Sequence, residues 1–188
     1  MSMSFFGRLL IVAAALLVSP AHAAVWTIDA ANSKLGFETT LFGSPLPGSF
    51  NAWTADIDFD AQALETSSIS VVIDMKSADT GDATRDETLK GPEWFAADEH
   101  PQATFKSTRI RATGENTFEM DADLTIRGNT VPVALPFALE TTDGTTRATG
   151  SVTIDRTKFD VGQGDFVTDS VVALEVTIKI DVVATPSP

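Results

Sequence analysis

His100, the carboxylates Asp56, Asp58 and Asp60, the adjacent pair Arg85-Asp86, and Arg156 are the residues whose types suit chemistry. A histidine metal site needs three or four ligands, and neither an HExxH run nor a His/carboxylate cluster occurs. A Ser-His-Asp triad would have to use His100, and no GxSxG elbow is present. His100 precedes Pro101 at the start of a strand-like run, so it reads as a turn or surface residue, or as a ligand contact. The chain has no cysteine, which excludes disulfides, thiolate metal sites and cysteine nucleophiles. Asp56, Asp58 and Asp60 alternate along one strand and share its outer face. The Gly and distal Glu of an EF-hand are missing, so they read as a solvated acidic stripe. Arg85-Asp86 reads either as an ion pair fixing a loop or as a contact for a ligand's polar head. Arg156, beside Phe159, admits the same two readings. Gly162-Gln163-Gly164 lacks the third glycine and the βαβ setting of a nucleotide loop. No catalytic residue and no metal ligand is expected, and binding without reaction is the function class left.

The elements that must position these residues are strands. Trp53, Ala55, Ile57 and Phe59 alternate with polar residues, as do Ile69, Val71 and Ile73. The same period runs through Phe118, Met120, Ala122, Leu124 and Ile126, through Val131 to Leu139, and through Val172 to Ile180. One apolar and one wet face per strand is the antiparallel signature. Thr113-Gly114-Glu115-Asn116, Gly128-Asn129 and Asp143-Gly144 supply hairpin turns. Consecutive hairpins make an up-and-down meander, and about eight strands favour closure into a barrel, which removes exposed edges. Pro132 and Pro136 sit on the outward parity of their strand, where a poorly paired stretch is expected. One long excursion interrupts the pattern at Ser77–Gln102. Asp79 and Thr80 suit a helix N-terminus and Pro92 its end, with Arg85 and Leu89 on one face. Trp94 and Phe95 follow, placed to fold over one barrel end. The fold expected is therefore all-β, an antiparallel barrel with one short helical insertion.

Met1–Ala23 reads as a cleaved signal peptide, with Arg8, an apolar Leu9–Val18 core and Ala21-His22-Ala23 before the cut. Its apolar run is too short to span a bilayer, so no stable membrane insertion is expected after cleavage. Residues 24–183 form the domain, and residues 184–188 a frayed tail. Removing the signal takes Arg8 and leaves 12 of the 13 basic residues against 26 acidic ones, a formal net charge of −14. That charge disfavours nucleic acid and anionic surfaces. A cysteine-free secreted domain of this size fits a bacterial periplasm.

Ten ordered motifs resemble one family. They are WTID at Trp26–Asp29, NSKLGF at Asn32–Phe37, PGSF at Pro47–Phe50, IDFD at Ile57–Asp60 and ISVVID at Ile69–Asp74. DTG with TRDETL at Asp79–Leu89, EWF at Glu93–Phe95, HPQATFKST at His100–Thr108, DLTIRGNT at Asp123–Thr130 and IDRTKFDVG at Ile154–Gly162 complete them. Trp26 to Val182 thus resembles the YceI-like family of secreted bacterial lipid- or polyisoprenoid-binding domains. The resemblance implies a lipocalin-like barrel around an elongated apolar tunnel, a long-chain isoprenoid or similar lipid as ligand (a polyprenyl quinone in the specific variant), no required cofactor, and a homodimer in many members. The chain departs from the family at Asn32, Leu41 and His100, where the family usually has His, His and Tyr. Pro45 and Pro47 alter the turn after the second strand.

By parity, Phe37, Trp53, Ile57, Phe59, Val71, Ile73, Phe105, Leu124 and Ile126 face inward and would line a ligand. Leu89, Trp94 and Phe95 would close one end. Arg85, Asp86, His100 and Arg156 are the head-group candidates. The alternative is a packed barrel that serves as a protein-interaction or stress-response module with no lipid.

Overall fold

The computed structural model describes residues 24–187; the signal peptide reading of residues 1–23 and the last residue of the tail lie outside it. Eleven strands follow one another: β1 Ala24–Ile28, β2 Lys34–Leu41, β3 Ser44–Phe50, β4 Trp53–Phe59, β5 Ser68–Asp74, β6 Ala78–Asp79, β7 Gln102–Ala112, β8 Thr117–Ile126, β9 Asn129–Thr142, β10 Thr145–Asp155 and β11 Glu175–Pro186. One helix, α1 Ala83–Lys90, lies between β6 and β7. Every pairing is antiparallel. Strands β4, β5, β7, β8, β9, β10 and β11 are neighbours in that order, and β1 closes the ring by pairing with both β4 and β11. The result is a closed eight-stranded barrel with one helix, as the alternation and the hairpin turns predict.

One edge of β11 is shared by two strands. Ala184–Pro186 face β1, whereas Thr177–Asp181 face β2. The β2–β3 hairpin therefore flares from the barrel, and β6 pairs with its outer strand. Residues 184–186, expected as a frayed tail, are strand, because Ile28, Thr27 and Trp26 supply their partners. The tight turns behave as their chemistry requires. Arg127-Gly128, one residue before the Gly128-Asn129 turn expected, and Asp143-Gly144 both take positive φ at the two central positions, the primed geometry that matches strand twist. Phe42-Gly43 adopts the same conformation, with Phe42 largely exposed.

Strand β9 pairs with β8 along most of its length, but with β10 only over Phe137–Thr142. Its first half, with Pro132 and Pro136 exposed, is left unpaired on that side, as the prolines predict. The chain from Arg156 to Leu174 covers the region beyond this gap. There Arg127 Nη1 donates to the Asp160 carbonyl and Asn129 Nδ2 to its carboxylate. This is a second long excursion, where the sequence reading expects only one. The outer faces carry ion pairs between Arg111 and both Glu119 and Asp121, and between Arg147 and Asp181.

Candidate ligand-binding interior

Inward residues of the eight strands do not fill the barrel. Two cavities lie along its axis. The lower, about 150 Å³, is walled by residues such as Trp53, Ile57, Phe59, Val71 and Phe105. Below it Phe59, Phe118 and Phe137 form a floor: Phe59 meets Phe118 edge-on at 5.3 Å, and Phe118 stacks on Phe137 at 5.4 Å. Trp26 Nε1 donates to the Phe59 carbonyl at 2.9 Å and fixes this end. The upper cavity, about 280 Å³, lies under the two excursions and is lined by Phe37, Leu89, Trp94, Phe95 and Ile126 among others. Ile73 and Leu124 line both. All twelve residues chosen by parity and lid position thus reach one cavity or the other. Almost every lining residue is apolar, the composition expected of a pocket for an apolar ligand.

The roof has two parts. The first is α1 and the coil after it. Asp82 caps α1 by accepting from the Arg85 N–H, in place of the Asp79 or Thr80 cap the sequence suggests. Asp79 instead accepts from the Gly81 N–H. Trp94 and Ala97 are buried at the roof, and an aromatic series Phe37–Phe50–Phe95, spaced 5.3 and 6.0 Å, ties it to the β2–β3 hairpin. The second part is the Arg156–Leu174 excursion, which brings Phe159, Val161, Phe166 and Val172 over the same cavity. The two parts are joined by main-chain bonds from the Gly162 and Gln163 N–H groups to the Glu93 carbonyl. Sequence reasoning missed this second part because it has no apolar period. The only available signal was the length of the gap between the Asp143-Gly144 turn and the alternating run expected from Val172, whose first residues belong to the roof because β11 starts only at Glu175.

Arg156 is almost fully buried. Its guanidinium lies 5.4 Å from the centre of the Trp94 ring. Nε donates to the Ala173 carbonyl, Nη1 to those of Val161 and Gly162, and Nη2 to those of Phe166, Thr168 and Val172. Its N–H groups are thereby spent on the main chain, so Arg156 is a clasp for the roof and offers a ligand no free donor. Burial pushes its pKa down from the usual arginine value, and Asp155 partly offsets this.

Of the two readings of Arg85-Asp86, the loop-fixing one holds, but not through a direct ion pair. Thr80 joins them: Arg85 Nε donates to Thr80 Oγ1 at 2.8 Å, and Thr80 donates through both Oγ1 and N to Asp86 Oδ1. Asp86 lines neither cavity, so its head-group reading gives way to this structural one. His100 lines neither cavity as well. Its ring packs over the β8–β9 turn, where a side chain on Gly128 would meet it at 3.3 Å. Arg85 remains. It is half-buried at the rim of the upper cavity, and its Nη atoms have no partner among the described residues. The indole Nε1 of Trp94 is also buried without a partner among those residues. The acidic stripe is less solvated than its spacing suggests: Asp58 is half-buried with one unpartnered oxygen, and Asp60 caps a turn at Gln62.

Residues 26–184 match the sequence profile of the YceI-like domain. A UPF0312 protein of Vibrio parahaemolyticus is 33% identical over 138 residues, 72% of each chain. One of Ectopseudomonas mendocina is 34% identical over 129 residues, 67% of this chain and 68% of its own. Among solved structures, Burkholderia cenocepacia BcnA is 34% identical with a TM-score of 0.82, over 85% of this chain and all of its own. A polyisoprenoid binding domain from Saccharophagus degradans, implicated in plant cell wall breakdown, shares the fold with a TM-score of 0.70 at 15% identity, over 87% and 99% of the two chains.

Proposed function

The chain belongs to the YceI-like family, and we propose that it is a secreted periplasmic carrier for a long-chain isoprenoid or similar lipid, including a polyprenyl quinone. Two roofed apolar cavities stacked inside one closed barrel carry this reading. Close-packed interiors have few voids larger than a water molecule, so cavities of this size argue against a barrel packed solid for interaction alone. Burying chain methylenes would supply the affinity, at about 0.8 kcal/mol each. The tail would point down to the Phe59, Phe118 and Phe137 floor. The head group would lie under the roof, with Arg85 as its donor. The polyisoprenoid-binding neighbour supports the reading by its fold.

Binding would require no bond to be made or broken, so the mechanism is sequestration. The test is extraction of the mature protein, purified from a periplasm, with organic solvent, followed by mass spectrometry. A stoichiometric lipid is the expected result. Ile73→Asp and Leu124→Asp, each placing a charge in the wall of both cavities, should lose it. An empty extract from several hosts, with no uptake of an added prenyl chain, would leave the packed-barrel interaction module as the better reading. A folded Asp variant that keeps its lipid in full would overturn the wall assignment.

A further inference from the structure

The two cavities adjoin at one level of the barrel. Leu35 of β2, Ile73 of β5, Leu124 of β8 and Ile178 of β11 are the residues that line both, so they stand at the level where the two meet. These strands stand at separate stations around the wall. Strand β5 is two places from β8, which is three places from β11, and β2 flanks β11 on its other edge. Leu35, Ile73 and Leu124 are buried, and all four side chains are aliphatic. Each has open space above and below it. A side chain placed so can change rotamer without repacking the wall behind it.

We propose that this four-residue waist selects ligands by tail length. The inference rests on the carrier reading and adds to it a rule for which chains fit. An apolar cavity of about 150 Å³ accepts benzene, a six-carbon ring. On that scale the lower cavity takes about one five-carbon isoprene unit and the upper about two. A two-unit tail rests above the waist. A three-unit tail reaches the lower cavity only by parting Leu35, Ile73, Leu124 and Ile178. The aromatic floor lies at the far end, and on this proposal the tail enters from the roof side. The waist has no polar atom on its side chains, so it discriminates length and leaves the head group to the roof.

Ten-carbon geraniol and fifteen-carbon farnesol are the probes, titrated into the delipidated mature protein by calorimetry. The quantity read is the ratio of their affinities. Leu124→Phe and Ile178→Phe, which fill the waist, should lower the preference for the longer chain at least about tenfold. Leu124→Ala, which opens it, should raise that preference. The widening variant keeps the test decisive should an overfilled barrel fail to fold, as a thermal melt would reveal. Ratios within about twofold of the wild type in the folded variants would overturn the waist. Long tails would then bypass it, for instance through the external cleft that reaches Leu35 between Phe50 and Trp53. A wild-type protein that binds neither alcohol would overturn the carrier reading and the waist together, an outcome distinct from binding both with variants that change nothing.

Discussion

Arg156 and Asp155, neighbours in the chain, fasten the second half of the roof by different means. Six main-chain carbonyls accept from the Arg156 guanidinium. Replacing it with Met keeps much of its volume but leaves those carbonyls without their donor in a buried place. Arg156→Met should therefore lose at least about 3 kcal/mol in urea unfolding, and Arg156→Lys should recover little, since one ammonium cannot reach so many acceptors. Asp155 caps the short 3-10 turn at Arg156–Phe159. The Thr157 hydroxyl and N–H both donate to its carboxylate and hold its pKa below the usual carboxylate range. The unfolded chain then takes up the proton first as acid is added. The contribution is complete above about pH 5 and drains away as pH falls further. Asp155→Asn removes that titration, so its stability should fall less than the wild type's between about pH 5 and pH 2.5 in thermal melts.

At the scale of elements, the barrel was legible in the sequence and the roof was legible only in half. Strands such as β4 and β8 each bury one face, so parity alone assigns Ile57, Phe59, Leu124 and Ile126 to the interior. The β2–β3 flare was not legible, because it arises from β11 sharing one edge between two strands, a long-range choice with no local signal. Nor was the Arg156 clasp, whose partners are carbonyls that every residue carries. Helix α1 shows why roof elements resist sequence reading. It is eight residues long and buries none of them fully, so neither propensity nor an apolar stripe holds it. The Thr80 hydroxyl does so by bridging Arg85 and Asp86. Thr80→Val should cost about 1 kcal/mol and act locally. Amide exchange should quicken at Asp86–Lys90 and stay unchanged in β8, and release of a bound prenyl chain should speed up. Equal acceleration in both elements would mean that α1 unfolds only with the barrel.

For the whole molecule, hollowness sets a stability cost that a ligand would repay. Lining residues with no atoms across the void lose dispersion contacts, so the empty barrel is less stable than a filled one of the same sequence. A ligand that binds only the folded state adds stability by mass action, about 2.7 kcal/mol at a free concentration one hundred times its dissociation constant. The lipid-free protein should therefore melt lower than the protein as purified. Adding back a prenyl alcohol should restore the difference in proportion to the logarithm of its concentration. The acidic exterior makes this test clean. With a formal net charge of −13, the chain repels anionic detergent and lipid head groups, so an amphiphile that raises the melting temperature acts through its tail in the interior. A melting temperature indifferent to both extraction and addition would mean that the two cavities stay empty, and that the barrel serves through its outer face.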